Sequence, residues 1–143
     1  MAAQWHKQID VAQCQLDQAI TLFLDGKDYY SSRTLAGDGE EIFGKLTESS
    51  GNTHALNKME KDICSTITDE ELDAIGKQKG LISLLNEYRN WLKHYVPEGN
   101  IFIEAEDSAY ELIDRTIENC IAVTGMKSDK MVKYRIYLSE RYA

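Results

Sequence analysis

Proline occurs once and cysteine three times in the 143 residues. A single proline, against a usual share of about 5%, leaves the backbone free to run in long helices. The supply of Leu, Ala, Glu, Lys and Gln favours them further. Cys14, Cys64 and Cys120 are odd in number, far apart and without CxxC spacing, which argues against a disulfide framework and against a zinc site. They read as reduced, mostly buried small hydrophobes, and Cys120 falls on an apolar helical stripe, a poor place for a nucleophile. No Glu-x-x-His pair occurs, which disfavours a di-iron bundle. No apolar run approaches the roughly 18 residues of a membrane span, and Met1–Asp10 lacks the core of a signal peptide, so a soluble, cytoplasmic protein with no membrane partner is expected.

What is present is ordinary globular material, 43% hydrophobic and 28% charged, long enough for one domain over residues 1–143. The net charge of −8 is unevenly spread. Residues 127–143 carry +3, from Lys127, Lys130, Lys133, Arg135 and Arg141 against Asp129 and Glu140, and the rest of the chain carries −11. Broad duplex binding depends on phosphate attraction, so any nucleic-acid contact has to be local.

The apolar positions repeat with a helical period. Trp5, Ile9, Ala12, Leu16, Ala19, Ile20 and Phe23 form one stripe, ending near Asp25-Gly26. Asp28 is placed to cap a second helix with the stripe Leu35, Gly39, Ile42, Phe43 and Leu46. Its Ala36, Gly37 and Gly39 predict a close helix–helix approach, because mid-helix glycine otherwise costs about 1 kcal/mol relative to alanine. Residues 53–79 read as helical turns and loop. Leu81, Leu84, Leu85, Tyr88, Leu92 and Tyr95 mark a third long helix, stopped before Pro97. Another starts near Ile103 and buries Ala105, Ala109, Leu112, Ile113, Thr116, Ile117, Cys120 and Ile121. Ser128-Asp129 caps the last, with Met131, Tyr134, Tyr137 and Leu138 inward. The expected fold class is all-α, an up-and-down bundle of four or five helices.

One constellation carries chemistry: Tyr88-Arg89-Asn90-Trp91-Leu92-Lys93-His94-Tyr95, in the last turns of the third long helix. Tyr88, Leu92 and Tyr95 on the core stripe push Arg89, Asn90, Lys93 and His94 away from it. Asn90 and His94 are four apart and share a face, as do Arg89 and Lys93. Two fixed positive charges, an imidazole and an amide suit a phosphodiester: guanidinium for the anionic oxygens, histidine for proton transfer near neutral pH. A basic, His-containing helix end is equally an ordinary C-terminal cap.

Arg89-Asn90-x-x-x-His94 resembles the arginine, four to six residues, histidine signature of the HEPN (higher eukaryotes and prokaryotes nucleotide-binding) superfamily, in which a polar residue often follows the arginine. The segment Ser32-Arg33-Thr34-Leu35-Ala36-Gly37-Asp38-Gly39-Glu40-Glu41-Ile42 is similar to the small-residue, acidic second helix of such bundles. The resemblance implies a HEPN-like bundle that homodimerises, bringing two motifs into one cleft, and a metal-independent endoribonuclease of the toxin or defence-effector kind that uses no cofactor. By that resemblance the catalytic residues are Arg89, Asn90 and His94, with Lys93 and Tyr95 binding the RNA substrate. Other members are non-catalytic, and the alternative is an interaction or nucleotide-binding module partnering a nucleotidyltransferase; an antitoxin is a further partner the resemblance suggests.

Among the remaining residues, Asp38, Glu40 and Glu41 read as solvated or polar-cleft acids, one of which could hold Arg89. His6 and His54 read as surface residues, and Tyr29-Tyr30 as core or interface. Tyr134, Tyr137 and Tyr142 among the C-terminal cations suit either interface packing or a clasp on single-stranded RNA.

Overall fold

The computed structural model describes residues 2–49, 90 and 92–141. Among them are four long α-helices and no strand: α1 (Gln8–Thr21), α2 (Tyr29–Ser49), α3 (Ala105–Thr124) and α4 (Asp129–Arg141). The protein is an all-α helical bundle. A π turn, Leu22–Gly26, extends α1. Lys27 then turns the chain in the left-handed region, at φ 51°, and Asp28 restarts it by accepting the Ser31 backbone N–H at 3.1 Å. This is the cap expected from the sequence. Bonds from the Ser31 hydroxyl and its backbone hold the Asp28 carboxyl below its usual range.

Cross-helix hydrogen bonds set the directions. Ser32 donates to the Ala19 carbonyl at 2.7 Å and Gly39 lies beside the Ala12 carbonyl, so α1 and α2 run antiparallel. Arg33 donates to Ser108, and Arg115 pairs with Glu40, so α2 and α3 run parallel. Arg135 pairs with Asp114 at 3.0 Å and, further along, Arg141 pairs with Glu106, so α4 returns antiparallel along α3, with Tyr134 donating to the Tyr110 carbonyl at 3.0 Å. Ser128 caps α4 by accepting the Met131 N–H at 3.2 Å.

The core follows the stripes predicted from periodicity on α1, α3 and α4, whereas on α2 it is Ala36 and Phe43 that are fully buried, with Leu35 and Ile42 partly so. Ala12, Leu16, Ala19, Ile20 and Phe23 of α1 and its extension meet Ala36 and Phe43, then Ala109, Leu112, Ile113, Ile117 and Cys120, then Met131 and Tyr134. Each large side chain so buried contributes about 1.5–3 kcal/mol. Phe23 is the hub of an aromatic cluster, meeting Tyr29, Tyr134 and Tyr137 edge-on at 5.2, 5.6 and 6.1 Å, an arrangement favoured by ring quadrupoles.

Gly39 explains the small residues of α2. A Cβ there would lie 3.2 Å from Thr116 Cγ2 and 3.5 Å from the Ala12 carbonyl oxygen, so both neighbouring helices press against this glycine. Thr116 is buried, with its hydroxyl donating toward the Ala36 and Leu112 carbonyls. It has little room to yield, and the missing side chain is the condition of the packing.

Three expectations are corrected. Trp5 stands outside α1 and is fully exposed; the apolar spacing continued upstream of the point where the helix begins. Cys14 is exposed rather than buried, because it lies off the stripe of Ala12 and Leu16. Leu46, placed on the stripe of the second helix, is exposed at its far end; of the tyrosine pair, Tyr29 joins the core and Tyr30 is exposed, as an interface position would be. No helix among the described residues is long and apolar enough to cross a membrane.

Candidate functional site

Of the motif, Asn90, Lys93 and His94 are described, with Tyr95 after them; Arg89 lies outside the described residues, as do Trp91, His54 and Cys64. Asn90, Leu92 and Lys93 are helical and the helix stops at Lys93. The His94 N–H donates to the Asn90 carbonyl at 2.9 Å. This backbone bond closes one helical turn, so the two residues emerge a turn apart on one face. Asn90, Lys93, His94 and Tyr95 are all exposed, while Leu92 and Val96 are half-buried. An amide, an ammonium and an imidazole therefore stand in water at the end of this helix.

Beyond the helix end, Pro97 and Gly99 shape the chain. The Gly99 N–H donates to the Val96 carbonyl at 2.8 Å, a four-residue turn with proline at its second position and glycine at its fourth. Gly99 has φ 76°, a conformation that costs glycine nothing. Asn100–Glu104 then leads irregularly into α3, with Ile101 and Phe102 facing solvent.

A second polar concentration is buried between α2 and α3. The Arg115 guanidinium lies 3.1 Å from Glu40, the two residues being 8% and 3% exposed. One turn-pair along, Arg33 donates to Ser108, both buried. Glu111 stands exposed at the edge of this seam, and partial desolvation raises its carboxyl above the ordinary value; Arg115 and Arg33 pull it down, while Asp107 and Glu104 push it up. Apolar stripes alone do not reveal this seam. Its signal in the sequence is a spacing: Arg33 and Glu40 are seven apart on α2, as are Ser108 and Arg115 on α3, and a spacing of seven keeps polar residues on one face.

The acids of the second helix thus divide. Glu40 is buried against Arg115, contrary to the solvated reading. Asp38 and Glu41 line an open groove of about 720 Å³ between the start of α1 and the end of α2, with His6, Val11, Ile42 and Lys45. Glu41 meets Lys45 there at 3.6 Å.

The C-terminal helix has its aromatics inward. Tyr134 is fully buried and cannot stack on a base, and Tyr137 packs on Phe23; Tyr142 lies outside the described residues. Arg135 and Arg141 are drawn to Asp114 and Glu106, and Lys130 to Thr21. Burial pushes the Cys120 thiol up, with nearby Asp17 adding to the effect and the Thr124 hydrogen bond opposing it, unsuited to a nucleophile. Among the described residues no three His, Cys, Asp or Glu groups gather as a metal site.

No protein-family model matches the chain, and no curated protein or solved structure shows significant similarity to it.

Proposed function

We propose that this bundle is a HEPN-type, metal-independent endoribonuclease acting through Arg89, Asn90 and His94 at a homodimer interface, in the manner of a toxin or defence effector. The observation that supports the reading is the solvent-open turn at the helix end, where Asn90 and His94 are held one turn apart by the 2.9 Å backbone bond with Lys93 between them. In this mechanism His94 accepts the proton of a ribose 2′-hydroxyl. The 2′-oxygen attacks phosphorus, and the 5′-oxygen leaves with a proton from His94 of the second copy. Arg89 offsets the charge of the crowded phosphorane, and Asn90 orients the imidazole or the ribose. The products are a 2′,3′-cyclic phosphate and a 5′-hydroxyl end.

The test is cleavage of varied RNAs by purified protein in EDTA. His94→Ala is expected to lower the rate at least about 100-fold, the usual worth of a general base. Equal cleavage by both proteins, or none by the parent on any RNA, removes the catalytic claim.

A second reading is a non-catalytic module that holds a protein partner such as a nucleotidyltransferase. The α1–α2 groove and the net charge of −8 favour it. Under it, Ile42→Asp in the groove releases the partner and no RNA is cut; a partner retained by that variant rules out the groove.

A further inference from the structure

We propose that Tyr95 and Phe102 form a two-ring platform on which unpaired RNA bases stack beside His94, with Phe102 a base-binding residue. The proposal rests on the nuclease reading for where the strand runs, and on the connecting segment for its geometry.

Tyr95 is 86% exposed and Phe102 82% exposed. Water against a whole phenyl ring is unfavourable, and these two rings flank one turn. The aromatic contacts among the described residues all gather on Phe23, far away in the sequence, and none involves either ring. Both faces of each ring are thus available. Pro97 and the left-handed Gly99 close the turn between them through the 2.8 Å bond from Gly99 to Val96. With that turn closed, and the three residues from Gly99 to Phe102 at full stretch, the two Cα atoms stand no more than about 21 Å apart. A short single strand bridges such a span.

The chemistry nearby selects the ligand. Lys93 and His94 adjoin Tyr95 on one side of the turn; Glu98 lies in it and Glu104 beyond it. A strand carrying charge only on its backbone, with uncharged flat bases on its other edge, fits this split. Its phosphates go to Lys93, and its bases go to rings whose attraction is indifferent to charge. Stacking tolerates any base because every base has a π face. A protein surface offered to the same loop would meet only Pro97 and Ile101 exposed between the rings, with Val96 half-buried, a small patch for an apolar interface core. A duplex keeps its bases stacked on each other and has nothing to give the rings.

The experiment uses the full chain carrying His94→Ala, so that a fluorescent single-stranded RNA stays intact during anisotropy titration. Adding Phe102→Ala is expected to weaken binding about tenfold or more, as the loss of one stacked base does. Phe102→Trp should restore the parent affinity, which a merely structural role would not require of a larger ring. Because Phe102 is exposed, the melting temperature should stay unchanged. The preference for single-stranded over duplex RNA of the same sequence should fall with Phe102→Ala. Equal binding by the Phe102→Ala and parent proteins overturns the platform. So does a parent that binds duplex as well as single strand, or that binds no RNA. Cleavage is read separately: His94-dependent cutting with unaltered Phe102→Ala binding leaves the nuclease standing and the platform fallen. Phe102-dependent binding without cutting does the reverse.

Discussion

At Glu111, burial and charge pull in opposite directions. Partial desolvation at the exposed edge of the α2–α3 seam outweighs the attraction of Arg115 and Arg33, so the carboxyl is raised above its ordinary value near 4.5. A carboxylate with a higher value folded than unfolded binds protons more tightly in the folded state. It therefore favours folding below the unfolded value and loses that contribution as pH rises through the folded one. Glu111→Gln should accordingly be more stable than the parent at pH 7, with the difference closing as pH falls through the carboxylate range. Urea unfolding at a series of pH values checks this, and a difference that widens in acid contradicts it. Asp28 has the opposite sign: its carboxyl is lowered by the Ser31 bonds, so its support for the start of α2 is present at neutral pH and lost in acid. The two residues make opposing slopes, which the Glu111→Gln comparison separates.

At the scale of elements, α2 and α3 are joined by a buried ion pair and by a glycine contact. Removing one partner of such a pair leaves a charge stranded in the interior. Glu40→Leu alone is expected to cost about 3–5 kcal/mol. Glu40→Leu with Arg115→Met should recover most of that loss, since two apolar side chains replace two desolvated charges. Chemical denaturation of the two variants measures it, and a double variant no better than the single one shows that the other contacts of Arg115 dominate. The same seam marks the limit of what sequence made legible. Apolar periodicity located α1, α2, α3 and α4, the caps at Asp28 and Ser128, and the close approach at Gly39, because burial of one face imposes a period on a single element. Glu40 and Arg115 are partners across 75 positions, and no period within one helix reveals that a charge on α2 is answered on α3. The Asn90–His94 turn was legible because its geometry is local, one helical turn closed by one backbone bond. Phe102 was not, because exposure in an irregular segment has no period at all.

For the whole molecule, the decisive quantity is where the positive charge is free. The +3 of the C-terminal segment looked available for RNA, but α4 directs Arg135, Arg141 and Lys130 back onto Asp114, Glu106 and Thr21. These three cations fasten the last helix to the bundle, while Lys133 faces outward. Under the nuclease proposal, the motif cations that meet phosphate are Lys93 and Arg89 from each copy. Single-strand binding loses affinity with a log–log salt slope of about −0.7 per neutralised phosphate. Four such charges in a dimer predict a slope no steeper than about −3, and Lys133→Glu on the outer face of α4 should leave RNA affinity within about twofold. Anisotropy titrations from low to moderate salt measure both. A slope of about −5 or beyond, or a marked loss on Lys133→Glu, would mean that α4 contributes to a wide electrostatic surface. The strand would then lie across α4 as well as at the end of the helix that carries His94.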